Sequence, residues 1–333
     1  MKASFQAPSN IAFVKYWGAR DLDLAIPNHP SISMTLEKCR SLCTVETQPY
    51  DGSADQVWLV DESGQRTDPG ESFTRRVIAH LDRLRNHFGA QVRFTVGTRN
   101  TFPSAAGIAS SASGFTALTL ATLGALEREV SADELSLWAR RSGSGSAARS
   151  TMGGYVEWPR GESEESCHAF ELAPADHWDL RDVITIVQTA PKRVSSLDGH
   201  VAAPTSPHYE RRLALVPRRL DQVRAAIHDR DLVALGPVIE EEFIEMHLVA
   251  MSSCPPVFYW SPATLAVLAR VRELREDGLC GFATMDAGAN VHVFCEPVEE
   301  PQIATALGET AGVDSVLRDG VGPGPSALAE PLI

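Results

Sequence analysis

The chain has 333 residues, of which 44% are hydrophobic, 7% aromatic and 22% charged, and its 43 acidic and 30 basic side chains give a formal net charge of −13. That balance describes a globular protein of about two domains, and the acidic excess excludes nucleic acid as its main partner, because phosphate backbones are bound largely through Lys and Arg. No run approaches the ~18 consecutive apolar residues of a membrane span, and Met1 to Asn10 lacks a signal-peptide core, so no membrane association and a cytoplasmic location are expected.

The six cysteines (Cys39, Cys43, Cys167, Cys254, Cys280 and Cys295) are dispersed and form no C-x-x-C pair. They read as reduced thiols, with Cys39 and Cys43 the one pair to test as a disulfide or a metal fragment. Along the chain, Phe73, Val77, Leu81, Leu84 and Phe88 recur at helical spacing, which predicts a helix from Ser72, as N-cap, to Gly89, as C-terminal stop. Val92, Phe94 and Val96 then alternate with polar residues as in a half-buried strand. The small-residue run Pro103 to Gly114 leads into a helix over Phe115 to Leu126, and Met152 to Trp158 reads as a strand.

The apolar run Val183 to Gln188 has strand length and follows the acidic stretch 162–182. This shift divides the chain into 1–182 and 183–333. In the second part Tyr209 to His228, Leu232 to His247 and Pro262 to Asp277 read as helices, and Phe282 to Met285 and Val291 to Cys295 as strands. Pro323 and Pro325 are expected to end regular structure. The fold class is α+β, with two domains of mixed elements.

Two loops carry phosphate-binding chemistry. In Pro103 to Gly114, small side chains let a phosphate approach the backbone at a helix N-terminus, and Ser110 and Ser111 add hydroxyls that can reach phosphate oxygens or Mg²⁺. The competing reading is a tightly packed helix entry with serine caps. The second loop, Arg141 to Ser150, alternates Gly and Ser and ends in Arg149, whose guanidinium forks onto carboxylate or phosphate. A flexible surface linker is the competing reading there. A G-x-x-x-x-G-K-[ST] motif does not occur, which excludes the ordinary P-loop.

The motifs Ala7-Pro8-Ser9-Asn10-Ile11-Ala12-Phe13-Val14-Lys15-Tyr16-Trp17-Gly18, Ser31-Ile32-Ser33-Met34-Thr35-Leu36, the two loops, Lys192-Arg193-Val194-Ser195-Ser196, Met246-His247 and Asp286-Ala287-Gly288-Ala289-Asn290 together resemble the mevalonate diphosphate decarboxylases of the GHMP kinase superfamily. The matches run in order from residue 7 to Pro325. The resemblance implies an N-terminal ATP-binding domain with a left-handed βαβ crossover and a C-terminal ferredoxin-like domain. Between them it implies a cleft for ATP, Mg²⁺ and a 5-phosphorylated mevalonate. The implied reaction phosphorylates the tertiary 3-hydroxyl and then loses phosphate and CO₂ together. A homodimer is the assembly the family suggests.

By the same resemblance Asp286 is the catalytic base, Lys15 keeps it ionised, and Arg149 and Asn10 hold the substrate carboxylate. Tyr16, Ser144, Ser146, Lys192, Arg193 and His200 are expected at the substrate. Ser104, Gly107, Ala109, Ser110 and Ser111 are expected to cradle the nucleotide, with Ser110 and Ser111 the candidate Mg²⁺ contacts. His29 and His200 fall in motifs that border the substrate, whereas His80, His87 and His228 read as packing or surface residues.

Two positions depart from the family pattern. Ala19 stands where a lysine is usual after Tyr-Trp-Gly, and Leu197 where bacterial members often carry an arginine after Val-Ser-Ser. Because an unpaired phosphate charge in a partly desolvated pocket is costly, the loss favours the shorter substrate 5-phosphomevalonate, giving isopentenyl phosphate. The alternatives are diphosphomevalonate, giving isopentenyl diphosphate, with Arg20, Lys192 or Arg193 compensating; a 3-kinase that does not decarboxylate; and a non-catalytic nucleotide-binding protein. The acidic stretches 162–182, 240–245 and 296–300 read as solvated faces.

Overall fold

The computed structural model describes residues 1–103, 109–187 and 194–333. The first half contains β1 (Lys2–Val14), β2 (Ala19–Asp21), β3 (Ile26–Pro27), β4 (Ser31–Pro49), β5 (Gln56–Val60), β6 (Arg66–Thr67), α1 (Glu71–Phe88), β7 (Val92–Asn100), α2 (Ser110–Ala125), α3 (Ala132–Arg140), β8 (Tyr155–Trp158) and β9 (Phe170–Ala173). The second contains β10 (Arg181–Ile186), α4 (Ser196–Ala202), α5 (Tyr209–Asp229), α6 (Leu232–Met251), α7 (Pro262–Glu276), β11 (Phe282–Thr284), β12 (Val291–Cys295), α8 (Glu300–Gly308), β13 (Ser315–Gly320) and β14 (Ser326–Ala327). A mixed sheet in the order β14-β1-β4-β7-β5-β6, with β8 attached to β4 and β9 to β8, forms the first layer. An antiparallel sheet in the order β11-β12-β10-β13 forms the other. No helix among the described residues is long and apolar enough to cross a membrane.

The spine of the first sheet is the pair β1–β4, and its register breaks where the site is built. Pro8 pairs with Arg40, but Asn10 already pairs with Thr35, so residues 36–39 are lifted out of the ladder. Backbone N–H groups freed by such a bulge must find other acceptors. Here the Asp319 carboxylate on β13 accepts from the amides of Glu37, Lys38 and Cys39, each at 2.9 Å. One aspartate thereby ties the two sheets together.

The helix expected from Ser72 begins one residue earlier, at Glu71, after Gly70 at φ 87°, and no side chain caps it. Ser72 therefore lies inside the first turn, while Gly89 ends the helix at φ 61° as expected. Val77, Leu81 and Leu84 are buried, but Phe73 lies beyond the packed face and is 38% exposed. Helix α2 is buried nearly all round. It tolerates this because Thr116, Thr119 and Thr122 return their hydroxyls to carbonyls one turn back at 2.9, 2.7 and 2.7 Å, leaving small and apolar surface to pack.

The proline-rich terminus does not end regular structure: β14 follows Pro325 and pairs with β1. A single apolar core then joins the layers, with Ile11, Phe13, Ile32 and Met34 from the first sheet against Ile184, Phe282, Phe294 and residues of α5 and α6. Burial of this kind contributes roughly 25 cal/mol per Å² of apolar surface, so the two layers are held as one body. All six cysteines are free thiols, Cys39 and Cys43 included.

The solvated-face reading of the acidic stretches holds for most of 162–182, where Glu162, Glu165, Glu171, Asp176 and Asp179 are exposed, and is corrected for the residues that pack inward. Glu242 is fully buried against Arg212 and Arg219, Glu240 pairs with Arg275 at 2.7 Å, Glu300 with Arg318 at 2.9 Å, and Asp182 is fully buried. Acids at helical spacing cannot reveal whether arginines far along the chain will cover them.

Candidate active site

A cleft of about 660 Å³ opens between the layers, lined by Lys15, Tyr16, Ser110, Ser111, Ser144, Ser146, Arg149, Leu197, His200 and Asp286 among others. Its floor is a buried ion pair. Lys15, one residue past β1, donates from Nζ to Asp286 Oδ1 at 2.8 Å and to the Ala12 carbonyl at 2.5 Å. The lysine side chain is 1% exposed and the carboxylate, just past β11, is 24% exposed. Asp286 is thus the member of the pair open to the cleft.

Burial works against ionisation of Asp286, but the Lys15 ammonium, with help from His292 and Arg149, outweighs it and holds the carboxyl below its ordinary range. Burial also draws the Lys15 proton affinity down, while Asp286 and Glu242 resist. Two further buried charged residues fix the lysine backbone. The Lys15 amide donates to Glu242 on α6 at 3.0 Å, and its carbonyl accepts from Arg212 on α5 at 3.0 Å. Arg212 also bonds Glu242 and, at 2.8 Å, His29 Nε2.

His29 is therefore corrected: it does not border the cleft but lies behind Lys15, with Nδ1 donating to the Pro30 carbonyl at 2.8 Å. Burial and the facing Arg212 lower it to about 3, so the ring is neutral and Nε2 can accept from the guanidinium. His200 does line the cleft, tilted by 34° against the Tyr16 ring with ring centres 4.2 Å apart and accepting the Gly18 amide at Nδ1.

Arg149 and Asn10 meet as expected. Arg149 Nη2 donates to Asn10 Oδ1 at 3.1 Å and Nη1 to Ser31 Oγ at 2.5 Å, while Asn10 Nδ2 donates to Ser150 Oγ at 2.8 Å. The guanidinium is 2% exposed, and burial lowers its proton affinity to about 10, with Asp286 opposing. It remains a cation at neutral pH, held rigid for an anion.

The Arg141–Ser150 loop is structured, not a linker. A short 3-10 segment, Gly145–Thr151, presents Ser144 and Ser146 to the cleft beside Tyr16. A Cβ at Gly145 would sit 2.7 Å from the Tyr16 ring, so only glycine allows this approach.

Across from it, α2 starts at Ser110 after Ala109 at φ 40°, with no side-chain cap. The serine-capped entry is thereby excluded, and the first turn aims its N-terminus at the cleft with a neutral side-chain set suited to a phosphate. Ser144 Oγ donates to Ser111 Oγ at 3.2 Å, which links the two loops. Ser104, Gly107, Lys192 and Arg193 lie outside the described residues.

The two departures from the family pattern separate in space. Leu197 lines the cleft and is 50% exposed, whereas Ala19 pairs with Pro27 between β2 and β3 and is not among the lining residues. Arg20 donates to the Gly161 carbonyl at 3.3 Å and does not line the cleft either. Sequence reasoning missed Ser31, Glu242, Arg212 and the cleft-lining Arg75 and Arg76 on α1. Ser31 stood inside a quoted motif; the others had no local signal.

This fold and floor, a two-layer α+β enzyme with a buried lysine–aspartate pair between the layers, define the class as the GHMP kinase superfamily. Comparison with known proteins narrows it. The "Diphosphomevalonate decarboxylase-like N-terminal domain" matches residues 7–169, and the "Mevalonate 5-diphosphate decarboxylase C-terminal domain" matches residues 182–321. The diphosphomevalonate decarboxylase of Candida albicans is 32% identical over 362 residues, spanning 99% of both chains. The solved mevalonate diphosphate decarboxylase of Enterococcus faecalis aligns with a TM-score of 0.89 at 34% identity, over 98% of this chain and 99% of that one. A complex of MDDEF with MVAPP, AMPPCP and magnesium aligns with a TM-score of 0.90 at 35% identity, over 98% and 99%. The chain belongs to the diphosphomevalonate decarboxylase family, whose members are ATP-dependent carboxy-lyases.

Proposed function

We propose that this chain phosphorylates the 3-hydroxyl of a 5-phosphorylated mevalonate with ATP and then releases phosphate and CO₂ to leave an alkene. The observation that carries this reading is the Lys15–Asp286 pair at 2.8 Å, open to the cleft on its carboxylate side. A tertiary alcohol is a weak nucleophile, and an ionised carboxylate beside it orients the O–H and accepts its proton as the P–O bond forms. Arg149, steadied by Asn10 and Ser31, is the cation we assign to the substrate carboxylate. Holding that group while the 3-phosphate leaves stabilises the charge developing at carbon 3.

Ser110, Ser111 and the uncapped start of α2 are the groups we assign to the nucleotide phosphates. The absence of carboxylates in the first turn of α2 fits a polyanion there. Mg²⁺, bound with the nucleotide, would neutralise phosphate charge and tie its oxygens together, with the two serine hydroxyls as protein contacts. Tyr16, Ser144, Ser146 and His200 form the wall we assign to the substrate. The two sheets favour a division between β9 and β10, just before the expected 182/183 because β10 already begins at Arg181 in the second sheet, with β14 returning to the first domain. A homodimer is the assembly we propose from the family resemblance.

For the tail, the named relatives and the MVAPP complex favour diphosphomevalonate as substrate and isopentenyl diphosphate as product. A second reading, 5-phosphomevalonate giving isopentenyl phosphate, is favoured by one observation on this chain: its cleft wall carries Leu197 in place of a cation. Measuring ATP-dependent CO₂ release with both substrates separates them. A higher kcat/KM for the monophosphate overturns the first reading, and a higher value for the diphosphate overturns the second. A stable 3-phosphorylated product without CO₂ overturns both.

A further inference from the structure

One short segment, His29-Pro30-Ser31, supports both cations of the cleft floor by separate routes. Val14 on β1 pairs with Ile32 on β4, and beyond that pair one chain runs into Lys15 while the other leads back through Ser31 and Pro30 to His29. His29 Nε2 accepts from Arg212 Nη1 at 2.8 Å, and Arg212 Nη2 donates to the Lys15 carbonyl at 3.0 Å. Ser31 Oγ accepts from Arg149 Nη1 at 2.5 Å. Both side chains are buried, and neither is among the residues that line the cleft.

The Ser31 hydroxyl completes the seat of the Arg149 guanidinium. Nε and Nη2 share Asn10 Oδ1 at 3.3 and 3.1 Å. Asn10 is turned this way because its Nδ2 donates to Ser150 Oγ at 2.8 Å and to the Ser146 carbonyl at 3.3 Å. A guanidinium held along that edge alone is free to pivot on it, and Ser31 pins the opposite nitrogen. Three of the five N–H groups are then engaged by described residues, which leaves one on each Nη for the two oxygens of a carboxylate.

The two routes serve different steps of the proposed reaction. In the first step the 3-O–H proton passes to Asp286, held by Lys15 at 2.8 Å, as the oxygen bonds the γ-phosphorus and ADP leaves. In the second the C3–O bond breaks with its electron pair on phosphate, and the C1–C2 pair becomes the C2=C3 double bond as CO₂ departs. That second step draws on the grip of Arg149. We propose that Ser31 is a positioning residue for the loss of CO₂, acting through Arg149 and leaving phosphoryl transfer to the His29–Arg212–Lys15 route. The proposal rests on the roles assigned above to Asp286 and Arg149.

The test is a rapid-quench measurement of ADP and CO₂ over a single turnover of the full chain, with ATP and whichever 5-phosphorylated mevalonate gives the higher kcat/KM. Ser31→Ala should release CO₂ about tenfold more slowly while ADP forms at close to the wild-type rate, so that a 3-phosphorylated intermediate builds up. Ser31→Thr, which keeps the hydroxyl, should restore CO₂ release. His29→Gln, on the Lys15 side of the same segment, should keep ADP and CO₂ in step whatever its rate. Loss of a purely structural contact would slow both products together, so equal slowing in Ser31→Ala, or none, overturns the proposal. A build-up of intermediate in His29→Gln overturns it as well, because the two routes would then not be separate. Arg149→Gln is the reference: if it leaves ADP and CO₂ in step, the assignment of Arg149 fails and the proposal with it. If it builds up intermediate and Ser31→Ala does not, that assignment stands and the role of Ser31 alone is lost.

Discussion

The floor and the rim of the cleft are built on opposite principles. At the floor, Lys15, Asp286, Arg149, Arg212 and Glu242 are charged and largely buried, and each is paired before any ligand arrives. At the rim, Ser110, Ser111, Ser144, Ser146 and Leu197 are neutral, small or apolar, and stand on loops and helix starts. A buried charge is expensive unless its partners are preset, so the floor is rigid and stability and chemistry share the same residues. Neutral donors on a rim can be exchanged at little cost to the fold. On the proposed reading, the reaction is written in the floor and the choice of ligand in the rim.

Substitutions at the floor test this most severely. Asp286→Asn should lower kcat by about 10²–10⁴-fold while leaving ATP binding, followed by a fluorescent nucleotide, largely intact. Retained turnover would remove Asp286 as the base. Glu242→Gln leaves Arg212 with an uncompensated buried charge, while Arg219 keeps Glu245 at 2.9 Å, and should cost about 3–5 kcal/mol in urea unfolding. Because the Lys15 amide also bonds Glu242, kcat should fall with stability, and an active, fully stable variant would separate the two layers of the floor.

Arg149→Gln should reduce decarboxylation by about 10²–10³-fold, measured as CO₂ per ADP formed. An unchanged rate would free Arg149 from the substrate carboxylate. At the rim, Ala19→Lys with Leu197→Arg should shift kcat/KM toward the diphosphate by about tenfold, with the melting temperature nearly unchanged. Since only Leu197 lines the cleft, the single Leu197→Arg variant should carry most of that change.

The smallest effect concerns acid stability. Burial lowers His29, His80 and His247 to about 3, well below the ordinary 6.5. Between those values the unfolded chain binds protons that the folded chain refuses, so their contribution is fully present above pH 6.5 and is lost as pH falls toward 3. Melting temperature should drop over that window, and His80→Gln, remote from the cleft, should flatten the drop by a few degrees (roughly 1 kcal/mol per 2–4 °C in a chain of this size). A slope unaltered by the substitution would mean His80 accepts its proton without unfolding.

The sequence carried most of the site and much less of its support. Lys15, Arg149, Ser110, Ser111, Ser144, Ser146 and Asp286 were legible because each sits in a short motif whose spacing is part of its chemistry, and the structure brings them to one cleft, with Asn10 bonded to Arg149. Helices α5, α6 and α7 were legible from apolar periodicity, which depends only on neighbours three and four residues away. Ser72 was misread as a cap because Gly70, with its left-handed φ, sets the helix start.

What only the tertiary structure decided is which charges are buried and paired. Nothing local to Glu242 announces Arg212 and Arg219, thirty and twenty-three residues away. Nothing local to His29 shows that it backs Lys15 instead of touching substrate, nor to Asp182 that His292, 110 residues on, is its partner. Periodicity and motif spacing are properties of a segment and survive in the unfolded chain. The ionisation and role of a buried side chain depend on desolvation and on partners that only the packing of two sheets supplies.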